Sequence, residues 1–432
     1  MESRNFVFAH LADAHIGAWP RDPAVRAALR ESVIRALEEV EKRNCEFLLI
    51  SGDLFHTAVP EPAEVAPIAA ALRRLVEHGR RVYVIYGSHD YVAHRTSWLD
   101  VLAETGVFLK VAPEAVRAEG DRWTLPFTTD AETGARIAGI SGRSHGLDRA
   151  YFAAVDAEAF RAEPGFKIFQ FHAAIREYLP ASLRAHIQGI SLYDLPGGCD
   201  YYAGGHIHYS YQGEGPEGGM LVNPGAVFGT SLTDLRNAMA KTTHQGVVIV
   251  TVRNGIPSVE YVDTAPRDIL RVIDLDVSSK TIQEAKAEIQ DRVTSESRGG
   301  ALVFPHLHGV LADGSLADLG LNDAARSAED QGAKTVHWDV RDLTLSSNTG
   351  AEAAASESEI ERALLSQLLE ESRATIPELS GMEGERTLRD LMRDLGVPRA
   401  EGEARHDYET SRVESALQLL RLDRPPRTRE VD

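Results

Sequence analysis

Apolar residues in the first part of the chain fall into short continuous runs that alternate with stretches of helical spacing. Residues 6–12 and 47–51 are continuous runs, and between them residues 24–42 place apolar side chains three to four positions apart, with Pro23 at the start. A continuous run predicts a strand covered on both faces, and a 3.6-residue period predicts an amphipathic helix. The order strand, helix, strand predicts a βαβ unit with parallel strands.

The same alternation continues to about residue 262. We expect a helix over 64–78, a strand over 81–86, and a helix from a Ser97 cap to residue 104. Two strands flanking Asn254-Gly255 predict a hairpin that closes this first domain. The chain is therefore expected to have an α/β fold. The further predicted strands cover residues 107–111, 122–127, 136–141, 166–171, 201–204, 245–253 and 256–262.

The remaining residues change character twice. Residues 263–345 predict a small α+β domain, with strands at 269–277, 301–311 and 335–343 and a helix at 282–292. Residues 346–359 are small and polar, which predicts a linker. Residues 360–432 predict short amphipathic helices, and such helices need a surface to cover. Their apolar stripes lie within residues 360–372, 387–395 and 409–422.

Side chains of the types that bind metals follow five predicted strands at the point where each strand ends. The clearest is Asp53, which follows the run 47–51 through Gly52. Because open α/β sheets bind ligands at the carboxyl ends of parallel strands, we expect these side chains to converge. The five groups are Asp13-Ala14-His15, Gly52-Asp53-Leu54-Phe55-His56, Gly87-Ser88-His89-Asp90, His172, and Gly205-His206-Ile207-His208.

The chemistry of these groups favours divalent ions. Carboxylate oxygens and imidazole nitrogens suit manganese, iron and zinc, and the lack of cysteine in the five groups argues against a thiolate site. The groups hold too many ligands for one ion. Two ions about 3.5 to 4 Å apart that share a bridging carboxylate would use them all, as in hydrolytic phosphoesterases.

Composition limits the partners and the compartment. The formal net charge of −19 disfavours a phosphate-rich partner, but most of the excess lies after residue 260, and bound divalent ions would offset the acidic ligands. Cys45 and Cys199 are the only cysteines, so we expect structural thiols rather than a disulfide framework. We find no membrane span or signal-peptide pattern, which predicts a cytoplasmic protein without a membrane partner.

The ordered set of strand-end groups resembles the calcineurin-like metallophosphoesterases. Within that superfamily, residues 9–17 (AHLADAHIG) and 52–56 (GDLFH) resemble the SbcD-type nuclease subunit of the double-strand-break repair complex. The run aromatic-Val-Asp-Arg-Gly that usually follows Gly-Asp in protein phosphatases of this fold is missing. The resemblance covers most of residues 5–262. It implies a metallophosphoesterase β-sandwich core flanked by helices, a small α+β DNA-capping domain at 263–345, and a helical ATPase-binding segment at 360–432.

The resemblance also implies roles for individual residues. Asp53 would bridge two divalent ions, most simply Mn²⁺. His89 would be the catalytic histidine near the scissile phosphate, and Asp90 would orient it or stabilise its charge. His56 would be a weaker candidate for contacting the phosphate. The implied ligands are Asp13, His15, Asp53 and His208 for the first ion, and Asp53, Ser88, His172 and His206 for the second.

Ser88 departs from the family pattern, which has asparagine at this position. An amide oxygen is a better ligand for a hard ion than a neutral hydroxyl. We therefore expect the second ion to bind more weakly than the first.

Other histidines have simpler interpretations. His10 is expected to line the buried first strand, because Asp13 and His15 already occupy the strand end. His306 and His308 have the His-x-His spacing but no evident acidic partner, so alternation along a solvated strand is the favoured interpretation over a second metal site. His145 is interpreted as a loop residue.

The function implied by the resemblance is a metal-dependent DNA nuclease. It would act as an exonuclease on duplex ends and an endonuclease on single strands, as a nucleoid-associated cytoplasmic homodimer. Its partner would be an SbcC-type, SMC-like ATPase bound through the C-terminal helices. Two alternatives remain open: a small-molecule phosphodiesterase or phosphatase of the same fold, and a weakly catalytic DNA-end scaffold.

Overall fold

The computed structural model describes two compact units, Met1–Ser346 and Ser347–Asp432. The described residues are 5–90, 96–111, 116–117, 123–142, 148–184, 187, 189–345, 381–395 and 405–420. The boundary between the units lies between Ser346 and Ser347. The division of the first unit at residue 262 and the remaining predicted boundaries stay predictions.

A six-stranded sheet forms the first layer of the larger unit. Its three N-terminal strands are parallel, β1 (Phe6–Leu11), β2 (Phe47–Ser51) and β3 (Arg81–Ile85), as the alternation of runs and helices predicts. The connecting helices are α1 (Pro23–Lys42), α2 (Pro62–Glu77) and α3 (Trp98–Glu104), and Ser97 caps α3 as expected. The sheet is completed by β4 (Leu109–Lys110), β13 (Gly246–Arg253) and β14 (Ile256–Asp263) in the order β14-β13-β1-β2-β3-β4.

A second six-stranded sheet faces the first, in the order β11-β12-β10-β9-β8-β7. Its strands are β7 (Thr128–Thr129), β8 (Arg136–Ile140), β9 (Lys167–Phe171), β10 (Tyr201–Ala203), β11 (Tyr211–Glu214) and β12 (Met220–Asn223). A separate two-stranded ribbon joins β5 (Val116–Arg117) to β6 (Trp123–Thr124). The predicted strand 122–127 is too long, because among its described residues, 123–127, only Trp123 and Thr124 form a strand.

The two sheets pack through aromatic and branched side chains. Phe8, Phe47 and Tyr83 of the first sheet meet Ile168 and Tyr201 of the second, and all five are buried. The outer face of the first sheet packs on α1, α2 and α3. The outer face of the second packs on the short helices α4 (Asp148–Ala153) and α5 (Ala157–Ala162). This is the predicted β-sandwich flanked by helices.

The sandwich brings the carboxyl ends of its parallel strands together. The Ser51 hydroxyl at the end of β2 donates to the carbonyl of Ala203 at the end of β10, over 3.1 Å. The Ser51 carbonyl in turn accepts from His172 Nδ1, just after β9, at 2.8 Å. Polar side chains that follow these strands must therefore project into one shared region.

A third sheet follows the sandwich. It contains β15 (Leu270–Asp276), β16 (Leu302–Leu311), β17 (Thr335–Val336) and β18 (Asp339–Leu345), with β16 between β15 and the other two. One face packs on α8 (Ile282–Ser295) and α9 (Leu321–Asp330). The sequence interpretation missed α9 and predicted 335–343 as one strand. It also missed α7 (Leu232–Met239) in the sandwich, while α6 (Ala181–Arg184) is a single turn.

The smaller unit contains two described helices, α10 (Gly381–Leu395) and α11 (Arg405–Leu419). Arg412 of α11 donates to the Asp394 carboxylate of α10 at 2.7 Å. The linker 346–359 and the predicted helix 360–372 lie outside the described residues. Among the helices of the described residues, none is long and apolar enough to cross a membrane.

Asp130 links the two sheets of the sandwich through hydrogen bonds and an ion pair. Its buried carboxylate accepts from Arg81 at 2.8 and 2.9 Å, from the Tyr83 hydroxyl at 2.8 Å and from the Thr133 amide at 2.9 Å. Arg81 and Tyr83 belong to β3, whereas Asp130 follows β7. Burial alone would raise the pKa of Asp130, but its hydrogen bonds to Arg81 and Thr133 lower it.

Asp130→Asn is expected to lower the free energy of unfolding by about 3 kcal/mol, because it leaves the partly buried Arg81 without its charge partner. The carboxylate stabilises the fold above its unfolded-state pKa of about 4, and this contribution is lost as the pH falls below that value and through the lower pKa of the folded state. Urea unfolding of both proteins at pH 7 and at several pH values below pH 4 measures the difference. The control Asp323→Asn breaks only an exposed contact with Arg326 and should change stability by less than about 0.5 kcal/mol. A similar effect of both substitutions would contradict the role of Asp130.

Candidate metal centre

Three side chains from distant parts of the sequence form the first half of the site. Asp13 and His15 follow β1, and His208 follows β10. One ligand atom from each lies within 4.8 Å of the others. The Nε2 atoms of His15 and His208 are 3.0 Å apart, and His15 Nε2 lies 3.9 Å from Asp13 Oδ1.

Asp53, His172 and His206 form the second half, again with ligand atoms within 4.8 Å of one another. Asp53 also reaches the first half, since its Oδ2 atom lies 3.2 Å from His172 Nε2 and 3.7 Å from His15 Nε2. The Asp53 carboxylate thus lies between the two groups. The structure brings together all six His and Asp side chains that the resemblance assigns as ligands.

The backbone at four of these positions is in an unusual conformation. Asp13, His15, Asp53 and His206 have φ values of 51°, 47°, 51° and 91°. Non-glycine residues with positive φ are uncommon, cost conformational free energy and cluster at functional sites. Strand ends with such turns direct consecutive side chains into the same region.

Glycine allows the strand-end loops to approach each other closely. A Cβ atom on Gly87 would lie 2.0 Å from Asp53 Oδ1, and one on Gly52, whose φ is +89°, would lie 2.3 Å from His172 Nδ1. Neither position has room for a side chain, so both glycines are required by the packing of the ligands.

Hydrogen bonds fix the ring orientation of two histidines. His172 Nδ1 donates to the Ser51 carbonyl at 2.8 Å, and His208 Nδ1 pairs with Asp234 Oδ2 at 2.9 Å. In each case the Nε2 atom is left to face the other ligands. Partners of this kind orient metal-binding imidazoles and raise their basicity.

Asp234 is a site residue that sequence reasoning missed. It is the third residue of α7 and forms a capping box with Ser231, and it also accepts from the Thr230 amide at 2.8 Å. The signal was the spacing Ser231-x-x-Asp234 before an apolar position, which is typical of a helix start. Its contact with His208, 26 positions away, requires the fold.

The pKa values of several side chains in the site are shifted far from their ordinary values. Burial would lower the pKa of His172, but Asp53 raises it to about 10. In the same way, burial would lower the pKa of His208, but Asp234 raises it to about 9. Burial and the neighbouring His172 lower the pKa of His206 to about 4. Burial would raise the pKa of Asp53, but His172 holds it well below its usual range. The carboxylates therefore attract positive charge into a buried site.

These observations fit a pair of divalent cations. The buried Nε2 atom of His172 makes no hydrogen bond to any described residue, although it lies 3.2 Å from Asp53. Four imidazoles and two carboxylates, without thiolates, are the donor set of manganese, iron and zinc sites. Asp53, between the two groups, is placed to serve both ions.

His89 lies at the exposed edge of this region. Its Nδ1 atom donates to the His56 carbonyl at 2.7 Å, so its Nε2 atom is left for a proton donor or acceptor role toward a ligand. The His56 and His89 rings stack with centroids 5.2 Å apart, and the His15 ring lies 4.9 Å from that of His89. Nitrogen atoms of these three rings also lie within 4.8 Å of one another, a grouping without a carboxylate.

The predicted orienting contact of Asp90 with His89 is wrong. The buried Asp90 carboxylate accepts instead from the backbone amides of Leu54 at 3.2 Å, Phe55 at 3.1 Å and Gly87 at 3.0 Å. Burial and the nearby Asp53 raise its pKa to about 6. Asp90 therefore holds the backbone of the loop that follows Asp53, while the His56 carbonyl orients His89.

Ser88 lies against the central carboxylate. Its hydroxyl donates to Asp53 Oδ2 at 3.3 Å, and the amide of the next residue, His89, donates to Asp53 Oδ1 at 2.8 Å. A hydroxyl that donates to the shared carboxylate reduces the electron density available to an ion. The weaker binding of the second ion stays a prediction.

Ser88→Asn should lower the Mn²⁺ concentration needed for activity, because an amide oxygen adds a stronger ligand to an ion otherwise held by Asp53, His172 and His206. We expect a shift of about tenfold or more, the scale at which supporting groups alter metal affinity. Calorimetric titration of both proteins measures second-site affinity directly. Ser258→Asn, on the exposed edge strand β14, is the control and should behave as the wild type. Equal second-site affinities of the wild type and Ser88→Asn would refute the expectation.

The other histidines separate into two kinds. His10 is fully buried on β1 and hydrogen-bonds to the Tyr201 and Ser51 hydroxyls at 3.0 Å each, as a strand-lining residue. The interpretation of His306 and His308 was wrong. His306 is buried and pairs with two acidic residues, Asp274 at 2.8 Å and Asp342 at 2.9 Å. His145 lies outside the described residues.

Residues 6–210 match the calcineurin-like phosphoesterase family, and this segment is a calcineurin-like metallophosphoesterase domain. The chain is also similar to two proteins named DNA double-strand break repair protein Mre11. The one from Methanopyrus kandleri is 25% identical over 279 residues, or 62% of this chain and 59% of the relative. The one from Archaeoglobus fulgidus is 24% identical over 311 residues, which cover 67% of this chain and 66% of the relative.

A third relative has a less specific name, the uncharacterized metallophosphoesterase YhaO of Bacillus subtilis. It is 25% identical over 273 residues, which cover 60% of each chain. The alignments thus span about three fifths to two thirds of the length of these three relatives.

Proposed function

We propose that this protein is a metal-dependent DNA nuclease that works in double-strand-break repair. The observation that carries the proposal is the Asp53 carboxylate between two imidazole groups, 3.2 Å from His172 Nε2 and 3.7 Å from His15 Nε2. The similarity to proteins named for DNA double-strand break repair supports DNA as the substrate.

Phosphodiester hydrolysis explains the residues around the centre. Asp13, His15, Asp53 and His208 would hold one ion and Asp53, His172 and His206 the other, with Ser88 beside them. Two bound divalent ions, proposed to be Mn²⁺, would supply Lewis acidity, water activation and a clamp on the attacking and leaving oxygens. His89, whose Nδ1 atom is fixed on the His56 carbonyl, presents Nε2 for a proton to the leaving oxygen. His56 lines the same edge and is a weaker candidate for contacting the phosphate.

A metal-dependence assay on end-labelled duplex and single-stranded DNA tests the proposal. A nuclease should shorten duplex ends and cut single strands only when Mn²⁺ is present. A DNA-end scaffold should bind DNA without metal and without turnover. A small-molecule phosphodiesterase should leave both DNAs intact while it hydrolyses bis-p-nitrophenyl phosphate. The three results are distinct, so the assay decides among the alternatives.

The C-terminal unit is proposed to bind the coiled-coil base of an SbcC-type, SMC-like ATPase. Val413 and Leu417 lie one turn apart on α11, and their side chains are 58% and 39% exposed. Exposed apolar residues at this spacing form a stripe suited to another helix or groove. We further propose a homodimer formed through the nuclease domain and a nucleoid-associated, cytoplasmic location, where the DNA substrate is.

Deletion of residues 346–432 should abolish co-purification with that ATPase. The larger unit should stay folded, as judged by its far-UV circular dichroism spectrum, because the deletion follows a unit boundary. The double substitution Val413→Asp and Leu417→Asp should have the same effect on co-purification in the full chain. Gln418→Asp, beside them on the same helix, is the matched control and should retain the partner. Undiminished co-purification of the deletion variant would exclude this role.

A further inference from the structure

A second group of histidines and carboxylates lies on the third sheet, apart from Asp53. His306 and His308 are two positions apart on β16, so their side chains share one face of the sheet. The parallel pairing of β15 with β16 places Asp274 opposite His306 and Asp276 opposite His308. The pairing of β16 with β18 places Asp342 opposite His308. Three neighbouring strands thus direct metal-binding types of side chain to one place.

The distances within this group are short. His306 Nδ1 lies 2.8 Å from Asp274 Oδ1, and His306 Nε2 lies 2.9 Å from Asp342 Oδ2. His308 Nε2 lies 3.6 Å from Asp274 Oδ2. Ligand atoms of Asp274, His306 and His308 lie within 4.8 Å of one another. Small side-chain rotations would let these atoms surround one ion.

The local charge also favours a cation. Asp274, Asp276 and Asp342 bring three carboxylates, and the guanidinium of Arg236 contacts the group, 3.4 Å from Asp274 Oδ1. Arg341, next to Asp342, is paired with Asp339. Lys280, which lies near Asp276, is paired with Glu288. Three carboxylates and one guanidinium leave two negative charges, which a divalent ion would balance.

We propose that Asp274, His306 and His308 form a binding site for a divalent transition metal of the zinc class. Two imidazole nitrogens and one carboxylate oxygen, with water in the fourth position, complete the tetrahedral shell that zinc adopts in open sites. Asp342 lies at the opposite nitrogen of the His306 ring, Nε2, and would orient that ring for binding through Nδ1. Such an ion would crosslink β15 and β16. The proposed site shares no residue with the Asp53 centre.

Arg236 would compete with the ion. Its Nη1 atom lies 3.2 Å from His306 Nδ1, where it occupies the neighbourhood of two proposed ligands. Positive charge at that position opposes a second cation. Arg236→Gln should therefore tighten zinc binding at this site.

The test is equilibrium dialysis of the chelator-treated full chain against Zn²⁺, followed by elemental analysis. His308→Ala should bind one equivalent of zinc less than the wild type, and Asp342→Asn should bind that equivalent about tenfold or more weakly. Asp53→Ala should retain the equivalent that depends on His308. The control His78→Ala removes a surface histidine that also pairs with a carboxylate, Glu41 at 2.7 Å, and should keep the wild-type stoichiometry.

Thermal unfolding provides a second readout, since an ion that binds only the folded chain raises the midpoint. In the Asp53→Ala background, zinc should raise the midpoint, and adding His308→Ala should remove most of the shift. The proposal is overturned if His308→Ala and Asp342→Asn, shown to be folded by circular dichroism, bind as much zinc with the same affinity as the wild type. The group would then be an ion-pair network that takes no metal.

Discussion

Asp53→Ala is expected to reduce metal-dependent DNA cleavage by about 10²- to 10⁴-fold. The carboxylate lies between the two groups of imidazoles, so its loss weakens both ion sites at once, each by about 10- to 100-fold on the scale of metal-site perturbations. The substitution also frees the amide of His89, which donates to Asp53 Oδ1 at 2.8 Å. The loop that carries His89 therefore loses one of its attachments as well.

Steady-state cleavage of end-labelled duplex DNA across a Mn²⁺ titration measures this loss, with bound manganese determined by elemental analysis. Asp291→Ala, on the exposed side of α8, removes a carboxylate without touching the centre and should leave both quantities unchanged. Cleavage by Asp53→Ala at the wild-type rate and Mn²⁺ requirement would remove the basis of the proposed nuclease.

His89→Ala is expected to reduce cleavage by about 10²- to 10⁴-fold while bound manganese stays near the wild-type amount. A positioned proton donor contributes on this scale, and its removal leaves the ligand groups in place. The structure supports a position at the substrate rather than within the ligand set, because His89 is exposed and its Nδ1 atom is occupied by the His56 carbonyl.

Two measurements are needed, since His15, His56 and His89 are close enough to share an ion. Single-turnover cleavage gives the chemical rate, and elemental analysis gives the metal content of the same preparation. His244→Ala changes a histidine that stacks on Tyr261 outside the site and is the control. Loss of manganese together with activity would reassign His89 as a ligand.

Much of the candidate metal centre could be predicted, because the ends of buried strands can be recognised in the sequence. Asp53 follows a continuous apolar run, and a parallel sheet fixes where such a run ends, so its location follows from local pattern alone. The same reasoning placed His172 and His206 in the site. The sandwich itself was implied by family resemblance, since local patterns do not show which strands share a sheet.

The missed features depend on contacts between distant residues. α7 spans only eight residues and offers a short apolar pattern, so neither the helix nor the contact of Asp234 with His208 was visible. The partners of His306 come from β15 and β18, and their register is set by strand pairing that no local period reveals. The predicted orienting contact of Asp90 with His89 was wrong for a similar reason, because residues that are neighbours in the sequence need not have side chains in contact.

α7 belongs to two networks at once. Asp234 orients His208 of the metal centre, and two positions later Arg236 holds His306 and Asp274 of the third sheet. Both residues lie on one helix of two turns, about 12 Å long. A displacement of this helix would therefore change both sets of hydrogen bonds. Such coupling is reciprocal. If the packing of the third sheet against α7 changes the free energy of ion binding beside His208, then ion binding there changes the free energy of that packing by the same amount.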